Sequence, residues 1–152
     1  HFGYNLKVTD MQAAIGCEQL DKLPGFIARR RHNWARLRNA LEPAADRLLL
    51  PQAAPGSNPS WFGFLITCRQ GLNRNRLVQR IEVAGVQTRM LFSGNILRQP
   101  CLCGADPATY RVVGSLANSD RVVEDTFWVG VYPGMSDEMI DDMAEIILRE
   151  SL

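Results

Sequence analysis

Three short apolar runs, separated by segments of helical periodicity, limit the folds open to this chain more than any other feature. Residues 61–67 read WFGFLIT, residues 86–91 read VQTRML and residues 126–131 read TFWVGV. Each is too short for a stable helix, and turn residues lie close by, so each is predicted to be a strand. Leu48-Leu49-Leu50, ahead of Pro51, reads as a shorter strand or strand entry. Between these runs, residues 73–84 put Leu77, Val78 and Ile81 on one helical face, and Gly85 ends that helix. Residues 110–123 are predicted to be mostly helical. After Pro133-Gly134, Ser136 is a natural N-cap, and Asp137 and Glu138 favour the positive end of the helix dipole. Met139, Ile140, Met143, Ile146 and Ile147 then form the stripe that this last helix buries.

The N-terminal quarter has a different character. Thr9 is an N-cap with Gln12 three residues on, a capping box that fixes where a helix begins. Ala13, Ala14, Gly16 and Cys17 give that helix a small-residue face, which is predicted to be buried against a neighbour. Pro24-Gly25 is predicted to break or bend it near Leu23. A second helix then runs to about Leu41, with Ile27, Trp34, Leu37 and Leu41 on its apolar side. The order helix, helix, strand, helix, strand, helix, strand, helix predicts an α/β fold with helices over one face of a short sheet.

With 152 residues the chain suits one domain, and 46% hydrophobic against 22% charged residues is ordinary for a globular protein. A net charge of +1 argues against a dedicated nucleic-acid surface. Arg29, Arg30, Arg31, Arg36 and Arg38 do crowd one helix, but Trp34 among them belongs to the apolar stripe. A solvated helix face is the better reading, with Asp137, Glu138, Asp141, Asp142 and Glu145 as counterweight. No apolar run is long enough to span a membrane and no signal-peptide pattern is present, so a cytoplasmic location with reduced thiols is expected. Cys17, Cys68, Cys101 and Cys103 have no metal-ligand spacing, and Cys101-Leu102-Cys103 reads as two unrelated cysteines rather than a metal site. The opening on His1, within a dense motif, reads as a piece of a longer protein.

Three loops concentrate the polar chemistry: residues 3–7, residues 88–100 and residues 118–121. Arg89 at a strand end and Arg121 near a helix end are placed where a guanidinium meets a phosphate or carboxylate. Taken singly, each is more often the kind of arginine that forms a surface ion pair. From the residues alone the chain is an α/β lobe with an edge suited to an anionic ligand.

The motifs carry this further. Gly3-Tyr4-Asn5-Leu6-Lys7-Val8-Thr9-Asp10-Met11-Gln12-Ala13-Ala14-Ile15-Gly16 resembles the signature that opens the C-terminal part of the DegT/StrS family of vitamin-B6-dependent sugar enzymes. The likeness continues through Pro59-Ser60-Trp61-Phe62-Gly63-Phe64 and Thr88-Arg89-Met90-Leu91-Phe92-Ser93-Gly94-Asn95. It then covers Arg98-Gln99-Pro100, Asn118-Ser119-Asp120-Arg121 and residues 126–134, in order along nearly the whole chain. The resemblance implies the C-terminal small domain of a fold-type-I pyridoxal-phosphate-dependent transferase, with a short, mostly antiparallel sheet covered by helices. Residues 1–42 would then link a large cofactor domain, expected upstream, to a small domain of residues 43–152.

Phe62 and the LFSGN-ILRQP loop stand where aminotransferase members tend to have histidines. They make the chain similar to the CDP-4-keto-6-deoxy-glucose 3-dehydrases of 3,6-dideoxyhexose and O-antigen synthesis. The implied cofactor is pyridoxamine or pyridoxal 5′-phosphate, acting as electron sink while the C3 hydroxyl of a CDP-linked keto-sugar leaves. The resemblance gives Asn5 to the phosphate of the partner subunit's cofactor in a homodimer, and Phe62 a place near the cofactor. It gives Arg121, Arg89 and Asn95 to the sugar-nucleotide side. No catalytic residue and no metal ligand is expected in this chain. Ligands for a [2Fe–2S] cluster, where one is present, are expected upstream, with a flavin and iron–sulfur reductase as further partner. A nucleotide-sugar aminotransferase, a GDP-4-keto-6-deoxymannose 3-dehydratase and a non-enzymatic sugar-nucleotide-binding or dimerisation module are the rival readings.

Overall fold

A four-stranded, wholly antiparallel sheet in the order β1-β2-β4-β3 forms the centre of the fold. The computed structural model describes residues 6–152. The strands are β1 (Leu48–Leu49), β2 (Gly63–Cys68), β3 (Thr88–Met90) and β4 (Thr126–Gly130). The helices are α1 (Asp10–Leu41), α2 (Arg74–Val83), α3 (Ala117–Asp125) and α4 (Asp137–Glu150). β2 and β3 flank β4 and each runs antiparallel to it, so the last strand inserts between two earlier ones joined through α2.

Alternation along the strands divides the sheet into two faces. Phe64 and Ile66 of β2 pair with Val129 and Phe127 of β4, and all four are buried. Leu77 and Ile81 of α2, Ile140 and Ile147 of α4, and Leu37 and Leu41 of α1 share the core with them. The short helices α2 and α4 follow the predicted apolar spacing, with Leu77, Val78 and Ile81 inward on α2. On α4 the stripe is Ile140, Met143, Ala144 and Ile147, whereas Met139, predicted to be inward, is 47% exposed. Trp34 rests on Trp61 and Phe64, with ring centroids 4.6 and 5.3 Å away, which places this aromatic in packing.

Three local expectations are corrected. Pro24-Gly25 does not break the first helix: α1 is a single element of 32 residues with Pro24 inside it. Proline removes the N–H that would bond the Leu20 carbonyl, but Leu20 and Pro24 are exposed, so water can serve that carbonyl. The predicted helix over 110–123 is displaced: residues 110–115 are irregular and exposed, and α3 begins at Ala117. The strand predicted from Trp61 begins at Gly63, leaving Trp61 and Phe62 ahead of the ladder. The capping box is present as read: Thr9 N–H donates to Gln12 Oε1 at 3.0 Å, and Gln12 N–H donates to Thr9 Oγ1 at 3.4 Å. The small-residue stretch behind it is exposed throughout, so no described residue of this chain covers Ala13, Ala14 or Gly16.

The arginine-rich half of α1 is fastened to the start of α4 by charge. Arg29 donates to the Met135 carbonyl at 2.8 Å and to Asp137 at 2.7 Å. Arg36 forks onto Asp141 with two bonds of 2.7 Å and reaches Asp137 at 3.0 Å. His32 Nε2 stands 3.1 Å from Asp137 Oδ1, the oxygen that Arg29 also reaches. The acidic counterweight read from composition is thus in direct contact with the arginines.

This clamp sets a pH dependence. Arg29 first, then His32 and Arg36, hold the Asp137 carboxyl below its ordinary 3.8, and Arg36 does the same for Asp141. A carboxyl with a depressed pKa in the folded state stabilises the fold above its unfolded pKa and loses that contribution as pH falls through the folded one. Urea titration of this chain and of Asp137→Asn is therefore predicted to show the wild-type advantage shrinking between about pH 5 and pH 2. An advantage that stays constant down to that pH would contradict the clamp.

Candidate functional site

The face of the sheet away from the helical core carries the first group of site residues. The register Leu65↔Trp128↔Arg89 puts these three side chains in one row across β2, β4 and β3. Phe62, just before β2, meets the Trp128 ring edge-on, with centroids 5.4 Å apart and planes at 88°. Trp128 Nε1 donates to the Met90 carbonyl at 3.2 Å, which fixes the ring from its other end. Gly63 makes this packing possible: a Cβ there would come within 2.6 Å of the Trp128 ring. Phe62 remains 58% exposed, and Arg89 is exposed with no side-chain hydrogen bond among the described residues. The result is an open aromatic surface with a cation in its row.

The second group lies beyond the other end of β4, where residues 91–116 and α3 form a lobe of loops and short 3-10 turns. Asn95 is buried here, and both ends of its side-chain amide are bonded. Its Nδ2 donates to Asp120 Oδ1 at 2.7 Å, and its Oδ1 accepts from Leu97 N–H at 3.1 Å. Arg98 donates to both oxygens of Asp120, at 3.0 and 3.1 Å. Arg98 first, and Asn95 second, hold the Asp120 carboxyl below the usual range, so it is ionised near neutral pH. Arg121 is half exposed, with Nε 3.8 Å from Asp125 Oδ2, a loose pair that leaves the guanidinium open to another anion. Two shallow cavities of about 430 and 450 Å³ border this lobe; Asn118 and Ser119 line the first, and Asn95 and Tyr110 the second.

The structure therefore brings Phe62 and Arg89 onto one sheet face, and Asn95 and Arg121 into one lobe. The Trp128 row lies two residue steps along β4 from Thr126, where the lobe begins, about 7 Å. Asn5 lies outside the described residues. Trp128, Phe92 and Asp120 sit within the motifs read from the sequence, but none was singled out there. For Trp128 the available signal was the small residue Gly63 beside Phe62. For Asp120 it was an acid directly before Arg121.

The described residues do not by themselves make a cradle for a pyridine ring or its phosphate. Phe62 faces outward with Trp128 as its aromatic neighbour, and no buried cation stands beside it. Among the described residues no three of His, Cys, Asp and Glu gather as a metal site. Burial pushes the Cys68 thiol up to about 11, so it behaves as a core residue rather than a nucleophile. No helix among the described residues is long and apolar enough to cross a membrane.

The aromatic surface generates a prediction. Gly63→Ala is expected to destabilise the chain by about 1–3 kcal/mol, because the Trp128 ring or the strand has to shift. The urea midpoint and the indole N–H resonance of Trp128 are the readouts. An unchanged midpoint and resonance would show that the ring does not depend on this glycine.

The chain is 46% identical over 143 residues to the lipopolysaccharide biosynthesis protein RfbH of Salmonella typhimurium, covering 93% of this chain and 32% of that protein. It is 50% identical over 149 residues to the dTDP-4-dehydro-2,6-dideoxy-D-glucose 3-dehydratase of Saccharopolyspora spinosa, covering 97% and 31%. The solved structure of Escherichia coli GDP-4-keto-6-deoxy-D-mannose-3-dehydratase with bound hydrated PLP superposes with a TM-score of 0.83 at 29% identity, over 97% of this chain and 37% of that one. The chain thus spans about a third of the length of these relatives. Residues 1–148 match the DegT/DnrJ/EryC1/StrS aminotransferase family, and the chain belongs to that family.

Proposed function

We propose that this chain is the C-terminal third of a pyridoxamine-phosphate-dependent nucleotide-sugar 3-dehydratase, which removes the C3 hydroxyl of a 4-keto-6-deoxyhexose. The observation that carries the reading is the 50% identity, over 97% of the chain, to a protein named as a sugar 3-dehydratase. The 46% identity to a lipopolysaccharide biosynthesis protein supports a role in making a dideoxy sugar for a surface polysaccharide. CDP is the proposed nucleotide, from the motif resemblance; dTDP and GDP are the rivals, from the names of the relatives.

In this reading residues 1–42 connect a cofactor-binding domain to the small domain of residues 43–152, and the protein is a soluble cytoplasmic homodimer with shared sites. When bound, the cofactor supplies the electron sink for loss of the C3 hydroxyl. The residues of this chain bind and orient. Asn5 reaches the cofactor phosphate of the partner's site, and Phe62 borders the cofactor and shields it from water. Arg89 and Arg121 meet the anionic sugar-nucleotide, and Asn95 shapes the loop between them. In the CDP branch a [2Fe–2S] cluster on the full-length protein, with ligands upstream of these residues, and a separate flavin-containing reductase would complete the reduction.

The test is incubation of the full-length protein, loaded with pyridoxamine phosphate and supplied with a flavin-containing reductase and its electron donor, with CDP-, dTDP- and GDP-linked 4-keto-6-deoxyhexoses, with NMR detection of the C3 position. Loss of the C3 hydroxyl without the incorporation of amine nitrogen from glutamate is the predicted result. An amino sugar formed at the expense of glutamate would make the protein a transaminase, and conversion of none of the sugars would favour a binding module. Asn5→Ala in the same protein is predicted to lower cofactor retention on gel filtration with folding intact. Residues 1–152 alone are predicted to bind pyridoxamine phosphate weakly or not at all, and tight binding by this piece would contradict the shared-site reading.

A further inference from the structure

Asp120 lies in the first turn of α3, one residue before Arg121, and its side-chain bonds go to the facing loop. One oxygen accepts from Asn95 Nδ2 and Arg98 Nε, the other from Arg98 Nη2. A guanidinium fork on a carboxylate fixes direction as well as distance. The loop is tied at further points. Gln99 Nε2 donates to the Ser93 carbonyl at 2.9 Å. Gly94, at φ +61°, crosses α3 so closely that a Cβ would lie 2.5 Å from Val123 Cγ2.

This bracing has an unusual product. Phe92 takes a left-handed backbone, φ +46°, and its ring is 78% exposed. A bulky residue holds that conformation only when its surroundings over-determine it, and such positions cluster at ligand sites. Burial does not account for it, since the ring is in solvent. The ring lines the cavity of about 430 Å³ together with Asn118 and Ser119, whose side chains make no hydrogen bond among the described residues. An aromatic face and two free polar groups are a fitting surround for a nucleotide-linked sugar, and Arg121 follows two residues after Ser119 on the same helix.

We propose that Asp120 is a positioning residue for that substrate: it latches residues 91–99 onto α3, so that Phe92 keeps a fixed place at the cavity, opposite Asn118 and Ser119. The proposal rests on the nucleotide-sugar reading above. Asp120 itself touches no substrate, because its oxygens are turned to Asn95 and Arg98. Its effect is preorganisation: a loop already in its bound shape loses less freedom when the ligand arrives.

The test uses the full-length protein carrying Asp120→Ala, Arg98→Ala, the double variant and Asp120→Glu. Asp120→Ala is predicted to raise KM for the nucleotide-linked sugar about tenfold with kcat changed less than about threefold. Cofactor absorbance and Tm should stay close to wild type, Asp120→Glu should recover part of the KM, and the double variant should be no worse than Asp120→Ala. A fall in Tm with KM unchanged, or KM effects that simply multiply in the double variant, would overturn the proposal. Amide exchange at Gly94, Asn95 and Leu97 gives a readout that needs no activity: it should speed up in Asp120→Ala. If the wild type converts none of the three sugars, the functional reading fails on its own. Exchange then decides the latch, and unaltered protection in Asp120→Ala overturns it.

Discussion

The insertion of β4 between β2 and β3 is the constraint on which the rest of the molecule depends. Phe127 and Val129 face the helices and close the core against Phe64 and Ile66. Trp128, between them, faces the opposite way and carries Phe62 on its edge and Arg89 in its row. The N-terminal end of the strand continues directly from α3, so the latch at Asp120 and the open arginine at Arg121 hang from the same element. Stability and site geometry are thus set by one register. A slip of one residue would exchange Trp128 for Val129 on the outer face and remove both.

Helices with regular short-range patterns were legible in the sequence. The stripes of α2 and α4 and the Thr9–Gln12 box depend on spacings of three and four residues, which a linear reading captures. Pro24 misled because the local rule against proline in a helix ignores that its unpaired carbonyl partner is exposed. Residues 110–115 misled because apolar Val112 and Val113 were read into the helix, yet they lie exposed in a loop ahead of it. Strand ends were overextended, since Trp61 and Phe62 resemble strand residues until the pairing Gly63↔Gly130 sets the limit.

The candidate site was proposed from its residue types, and its arrangement was not legible. Phe62, Arg89, Asn95 and Arg121 were found as members of motifs, and the sheet register then separated them into two groups. The bonds from Asp120 to residues 22 and 25 positions earlier are tertiary and have no linear signature. The ion pairs of Arg29 and Arg36 to α4 span more than 100 residues and were visible only as a balance of charge. The exposed Ala13, Ala14 and Gly16 face of α1 has the composition of a surface made to be covered, which agrees with a shared-site reading in which other parts of the protein pack there.

The central claim is that the outer face of β4 and the lobe beyond it together border one sugar-nucleotide site. A crystal structure of the full-length protein with a CDP-linked deoxyhexose bound tests this most directly. The account predicts ligand atoms within about 4 Å of Arg121 and Phe92 on one side and of Phe62 or Arg89 on the other. A ligand held wholly elsewhere, with none of these side chains in contact, would contradict it.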